Sequence, residues 1–205
     1  MKQLTHTIQR IMQALVAALL IASLLPLLLM IALLVKLTSR GPVFFVSTRI
    51  GLGQRPFHIW KFRTMRVNSE HELEGIAHQT PDTLRHWQTF SKLPNDPRIT
   101  PFGRFLRKTS LDELPQLWNV LRGDMNFIGP RPIVDAERER YGDSFAKVFS
   151  VKPGITGLWQ VSGRNDIPFE QRIELDKYYV KHQSLALDTV IIIKTFLEIF
   201  SAHGK

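Results

Sequence analysis

The 205-residue chain contains no cysteine, which excludes disulfides, thiolate metal sites and cysteine nucleophiles. Acid is missing from its first third. Residues 1–69 hold no Asp or Glu but nine Lys and Arg, whereas the remainder carries 18 basic and 18 acidic residues, so the net charge of +9 belongs to the N-terminal part. Internal repeats and low-complexity tracts are also lacking. The length suits one globular domain plus an anchor. Because the excess charge sits beside an apolar segment, an anionic membrane surface is the expected partner and nucleic acid is not.

That apolar segment covers residues 11–35, interrupted only by Gln13, Ser23 and Pro26. As a straight helix it measures about 37 Å, enough to cross a bilayer. A secretory signal is less fitting, because the run is long and no small-residue cleavage site follows. Pro26 lies near the middle, removes one backbone hydrogen bond and presses on the preceding turn. A break there gives two short arms that enter and leave by the same face. Lys2 and Arg10 before the run and Lys36 and Arg40 after it would then stay on one side. The sequence therefore predicts a membrane anchor over residues 1–40, re-entrant and broken near Pro26, and a cytoplasmic domain over 41–205.

Within that domain the expected class is α+β and helix-dominated, with a small β-hairpin and amphipathic interface helices. VFFV and FHIWKF flank a turn over Gly51-Leu52-Gly53-Gln54 and read as the hairpin. Residues 68–97 form a polar insertion with some helix around 83–90, and their histidines (His71, His78, His86) read as ordinary solvated side chains. Thr100-Pro101 marks a helix start, with Phe102, Phe105 and Leu106 opposite Arg104, Arg107 and Lys108. A further helix is expected from about Asp112 or Glu113, with Pro115 in its first turn. Its apolar stripe would be Leu114, Leu117, Trp118 and Leu121, and Gly123 would end it. An acidic–basic helix follows over about 169–182, then an apolar one over about 187–201 that packs on the core or lies in the lipid interface.

The densest chemistry lies in RKTSLDELPQLWNVLRGDMNFIGPRP, residues 107–132. Asp112 and Glu113 are adjacent carboxylates among Arg107, Lys108, Arg122 and Arg131. Both have plain explanations, Asp112 as an N-cap and Glu113 as the last member of a capping box begun by Ser110. They also suit a site where phosphates and a metal meet, since a carboxylate beside Mg²⁺ can attack phosphorus. Arg131 is held between prolines, and Arg164 follows a glycine that admits a ligand. Lys61, Arg63 and Arg66 lie on or after the second strand. Gln160 sits in a Gly-punctuated loop with Trp159, a pocket wall or a tight turn. Asp176 reads equally as a metal ligand or a helix-face ion-pair partner of Lys177 or Arg172.

The 107–132 stretch closely resembles the core signature of the bacterial sugar transferases, the monotopic polyprenyl-phosphate phosphoglycosyl transferases. The resemblance extends in order through the apolar N-terminus, KLTSRGPVFF (36–45), KFRTM (61–65), DPRIT (96–100), KPGITGLWQVSGRN (152–165) and IELDKYYV (173–180). It implies a re-entrant anchor, although Leu25 stands where the family often has a serine before the hinge proline. It also implies that Asp112 is the nucleophile and Glu113 its partner in metal or proton handling. Lys61, Arg63, Arg131, Arg164 and Gln160 would bind substrate, and Mg²⁺ would be held by Asp112 and Glu113, with Asp176 a further candidate.

The implied reaction moves a sugar phosphate from a UDP-sugar to polyprenyl (undecaprenyl) phosphate through an aspartyl-phosphosugar intermediate. It would take place at the cytoplasmic face of the bacterial inner membrane, as the first membrane step of glycoconjugate or exopolysaccharide assembly. Two readings compete with it. One is a non-catalytic membrane adaptor whose basic collar binds lipid; the other is a nucleotide-sugar hydrolase needing no polyprenyl phosphate. The sequence names neither the sugar nor any homo-oligomer.

Overall fold

Along the first helix, side chains shielded by the domain recur every three or four residues, at Arg10, Gln13, Ala14, Ala17, Ile21, Leu24, Leu28, Ile31 and Val35. The structure, a computed structural model, describes residues 2–67, 69, 72–77, 80–90, 93, 96–163 and 167–200. Helix α1 is Lys2–Thr38 with Pro26 inside it. Residues Thr7–Thr38 are long and apolar enough to cross a membrane. The opposite face, including Leu15, Leu19, Leu25, Leu29 and Leu33, is exposed. The expected break at Pro26 is not present as an interruption, because α1 is one helix. Proline removes a single bond, and the intact turns on both sides carry the helix through it.

Both ends of α1 are fastened to the domain. Near the start, the Arg10 guanidinium donates to the carbonyls of Val120 (3.0 Å) and Leu121 (2.6 Å), and Ala17 packs with Ile59, Val120 and Met125. Near the end, Ile31 and Val35 pack with Phe62 and Leu106. Arg63 Nη2 donates to the Ser39 carbonyl at 2.6 Å. Helix C-termini leave carbonyls without intrahelical partners, and a cation there also complements the helix dipole.

Strands β1 (Phe44–Ile50) and β2 (Pro56–Phe62) form the expected antiparallel hairpin, closed by a 3₁₀ turn at Leu52–Gln54 with Gly53 at φ 63°. Short helices α2 (Glu72–Ala77) and α3 (Pro81–Phe90) occupy the insertion. His71 and His78 lie outside the described residues. Helix α4 (Pro101–Thr109) begins as expected, with Thr100 Oγ1 accepting from the Gly103 N–H at 2.9 Å. Gly103 lies directly on the Thr64 backbone, where a Cβ would collide. A 3₁₀ turn, Leu111–Glu113, then leads to α5 (Gln116–Arg122), which Gly123 ends at φ 90°.

Strand β3 (Asn126–Ile128) pairs in parallel with β4 (Gly154–Thr156), and α6 (Arg138–Tyr141) and α7 (Ser144–Val148) lie between them in sequence. Helices α8 (Phe169–His182) and α9 (Leu185–Phe200) close the chain. One core cluster joins Ile50 and Ile133 to Tyr141, Phe145, Phe149, Phe169 and Ile173. Helix α9 buries Ile191 completely but exposes Leu185, Ile193, Phe196 and Leu197. The class is thus the expected α+β, helix-dominated one with a small β component.

One stripe is rotated relative to expectation. On α5 the buried residues are Gln116, Leu117, Asn119 and Val120, whereas Trp118 is exposed. The cause is Asn119, whose carboxamide serves as a strand partner for β2. Its Oδ1 accepts from the Trp60 N–H (3.1 Å) and its Nδ2 donates to the His58 carbonyl (2.6 Å). The carboxamide thereby satisfies both backbone groups.

Candidate active site

Three segments meet at Asp112 and Glu113: the end of β2 with its KFRTM sequence, the turn after α4, and the Gly129-Pro130-Arg131-Pro132 loop. Helix α4 stops because Ser110 is left-handed (φ 57°), a conformation that costs a non-glycine residue about 1–2 kcal/mol. The reversal sends residues 111–113 back as a separate turn. Ser110 makes no side-chain cap bond there, and Pro115 holds the cap position of α5. The capping roles that sequence allows for Asp112 and the Ser110–Glu113 pair are therefore not the ones adopted.

Cations engage the acids instead. Lys61 Nζ contacts Glu113 Oε1 at 2.6 Å, and Arg131 Nη1 lies 3.7 Å from the same oxygen. Asp112 is buried, at 8 % exposure. Burial pushes its carboxyl up to about 6 and Glu113 adds to the rise, while Lys61, Arg107 and Arg131 oppose it. At neutral pH such a carboxyl is mostly ionised yet poorly solvated, a state suited to a nucleophile. Burial pulls the Lys61 ammonium below its ordinary value, with Glu113 resisting.

Arg107 is held from β2, its Nε donating to Thr64 Oγ1 at 2.8 Å. Asp112 is the largest charge favouring its protonated form, yet the two form no ion pair among the described residues. Lys61 and Thr64, three positions apart in KFRTM, thus set Glu113 and Arg107 respectively. Arg131 stacks over Trp159 at 5.7 Å and Arg172 at 4.9 Å, which ties the Gly-punctuated loop to the site.

The chain as a whole matches proteins of known family. The profile described as "Bacterial sugar transferase" matches residues 4–202. The chain belongs to the bacterial sugar transferase family. This family member is 49% identical over 164 residues to a "UDP-galactose-lipid carrier transferase" of Erwinia amylovora, covering 80% of this chain and 34% of that protein. It is 48% identical over 164 residues to an "Undecaprenyl-phosphate galactose phosphotransferase" of Salmonella typhimurium, again 80% and 34%. It is also 43% identical over 171 residues to "Exopolysaccharide production protein ExoY" of Rhizobium meliloti, covering 83% of this chain and 76% of that protein. The chain spans about a third of the length of the first two relatives.

Not every candidate residue of this family member reaches the site. Lys61 and Arg131 do. Arg63 does not: it is 6% exposed and grips the end of α1, because the strand ends at Phe62 and the next side chain turns toward the anchor. Arg164 lies outside the described residues. Among the described residues, both amide atoms of Gln160 are buried without hydrogen-bond partners, beside the Trp159 that carries Arg131. Asp176 is fully buried on α8, and the Tyr141 hydroxyl lies 3.3 Å from its Oδ2. Burial raises its carboxyl well above the usual range.

Among the described residues no three His, Cys, Asp or Glu side chains cluster as a metal cage. Mg²⁺ commonly takes one or two carboxylates plus substrate phosphates and water, which the Asp112–Glu113 pair can supply. Asp176, buried behind Tyr141, does not fit that donor set.

The sequence reading missed Thr64, Asn119 and Arg49. Thr64 and Asn119 lie inside quoted motifs but send their side chains to distant backbone or side-chain partners, which no local spacing reveals. Arg49 carried a usable signal, since counting the hairpin outward from its turn puts it on the face of Lys61.

Proposed function

We propose that this chain transfers a sugar phosphate from a UDP-sugar to polyprenyl (undecaprenyl) phosphate through a covalent intermediate on Asp112. The observation carrying this reading is the buried Asp112 beside a Glu113 held by Lys61 and Arg131, with Arg107 poised nearby but unpaired with Asp112. The names of the relatives, which print undecaprenyl phosphate, galactose and a lipid carrier, support the substrate class.

In the first half-reaction an Asp112 carboxylate oxygen forms a bond to the sugar-proximal phosphorus. The P–O bond to the nucleoside monophosphate breaks, and its electron pair leaves with UMP. Arg107 and Arg131 bind phosphate oxygens, and Lys61 keeps Glu113 turned into the site. In the second half-reaction a phosphate oxygen of the polyprenyl phosphate attacks the same phosphorus and frees Asp112, giving a polyprenyl diphosphate-sugar. Mg²⁺ held by Asp112 and Glu113 would neutralise phosphate charge. Ping-pong kinetics follow.

The lipid acceptor requires a site at the membrane. Arg10 and Arg63 fasten the two ends of α1 to one domain, so both ends of the helix belong on the cytoplasmic side of the bacterial inner membrane. The exposed leucine face between them enters the lipid.

The test is UMP release. Purified protein with Mg²⁺ and a panel of UDP-sugars should release UMP with at least one donor, and polyprenyl phosphate should make release catalytic. An adaptor releases none, and a hydrolase turns over without the lipid.

A further inference from the structure

Arg49 presents a cationic group that no described side chain neutralises at contact distance. It lies near the end of β1, which is stitched to the GPRP loop: the Ile50 N–H donates to the Ile133 carbonyl at 2.9 Å, and both side chains share one core cluster. The hairpin register pairs Phe45 with Lys61 and Arg49 with Phe57. Side chains alternate with period two along a strand, so Arg49 and Lys61 project from the same face. Lys61 ends on Glu113, and Arg131 reaches the same carboxylate.

The surroundings of Arg49 are unusual for a structural arginine. Among the described residues its buried Nε has no hydrogen-bond partner and the side chain makes no ion pair. Burial and the neighbouring Arg131 pull the guanidinium down to about 10, with Glu137 and Glu113 pulling the other way. Two guanidiniums within electrostatic reach of each other, one with an unsatisfied buried donor, form an arrangement that an anion completes.

Resting on the transferase reading above, we propose that Arg49, together with Arg131, is the subsite for the nucleoside-side phosphate of the donor diphosphate. The sugar-side phosphorus must lie at Asp112, within reach of Arg107 and Lys61. Arg49 stands at the other end of the hairpin face, four strand positions or about 13 Å from the Lys61 pair, and Arg131, 3.7 Å from Glu113, lies within electrostatic reach of Arg49. When the P–O bond breaks, the electron pair stays on the UMP oxygen and that phosphate gains a negative charge. Paired guanidiniums stabilise charge that develops at the leaving group. In the second half-reaction the acceptor phosphate attacks opposite Asp112 and enters this same position.

Calorimetric titrations of UMP and of inorganic pyrophosphate into the full chain, into Arg49→Gln and into Arg49→Lys test the subsite directly. Arg49→Gln should weaken both ligands about tenfold or more while its melting temperature stays within about 2 °C of the parent. Arg49→Lys keeps the charge but loses the fork, and should fall between the two; it serves alone if the Gln variant does not fold. In the half-reactions, the variants should slow UMP release at low donor concentration. Discharge of preloaded enzyme onto polyprenyl phosphate should slow as well, because the acceptor phosphate enters opposite Asp112, where UMP left. Unchanged UMP and pyrophosphate affinities, or a loss confined to the discharge step, overturn the assignment. A parent that releases no UMP from any UDP-sugar overturns the transferase reading instead, and the pyrophosphate titration still decides the subsite.

Discussion

Replacing Lys61 with Met removes the ammonium from Glu113 but keeps most of the aliphatic stem. The contact is 2.6 Å long, and its side chains are 16% and 22% exposed. It therefore ranks above a surface pair and below a fully buried one. Charge-assisted hydrogen bonds of this kind are worth about 1.5–3 kcal/mol, which converts to about 10- to 150-fold in rate. Arg131 remains 3.7 Å from the same Glu113 oxygen and takes over part of the role, so the lower end is expected. Single-turnover UMP release at saturating UDP-sugar reads the effect, and a melting curve checks that the variant folds. In a Glu113→Gln background the Lys61→Met change should have little further effect, since the partner is already gone. A Lys61→Met rate within about twofold of the parent, or a full additive loss in the Glu113→Gln background, would refute the idea that Lys61 acts by holding Glu113.

Thr64→Val removes the acceptor for Arg107 Nε without changing side-chain size, so UMP release should fall about tenfold. Thr64→Ser should restore it, and the Val change should add nothing on top of Arg107→Lys. Asp176→Asn should leave the Mg²⁺ dependence of turnover unchanged. It should also flatten the pH dependence of stability. The folded carboxyl of Asp176 is raised well above its ordinary value, so the native state holds a proton that the unfolded chain gives up. Stability is then fullest below the unfolded pKa and declines as pH rises toward the folded one; equal melting-temperature slopes for parent and Asn variant would contradict this. With no cysteine in the chain, a single Gln3→Cys should react only with membrane-permeant reagents in intact cells. Labelling by an impermeant reagent from outside would instead mean that α1 crosses the bilayer.

Much of the fold was readable because its signals are local. The β-hairpin shows two runs rich in aromatic and β-branched residues around a glycine turn, and Thr100-Pro101 marks the start of α4. Asp112 and Glu113, which taken alone read as helix caps, stood out through the resemblance of residues 107–132 to the family's core signature. What escaped depended on long-range partners. The stripe Leu114, Leu117, Trp118 and Leu121 followed apolar residues at helical spacing, and so placed Trp118 inside and overlooked Asn119, whose partners are the Trp60 N–H and the His58 carbonyl. Arg63 looked like a ligand residue by its place in KFRTM, but its partner is the Ser39 carbonyl, 24 residues earlier. Pro26 suggested a break from a local rule, while the seam that recurs along α1 on both sides of it is a tertiary property.

The central claim is that Asp112 becomes covalently loaded. Incubating the protein with a UDP-sugar and Mg²⁺ but no lipid, then quenching in acid and measuring intact and peptide masses, tests it most directly. The parent should gain the mass of one sugar phosphate on the peptide containing Asp112, with about one equivalent of UMP released, and Asp112→Asn should show neither. A sugar-phosphate adduct on another residue, or an adduct and UMP burst that persist in Asp112→Asn, would contradict the account.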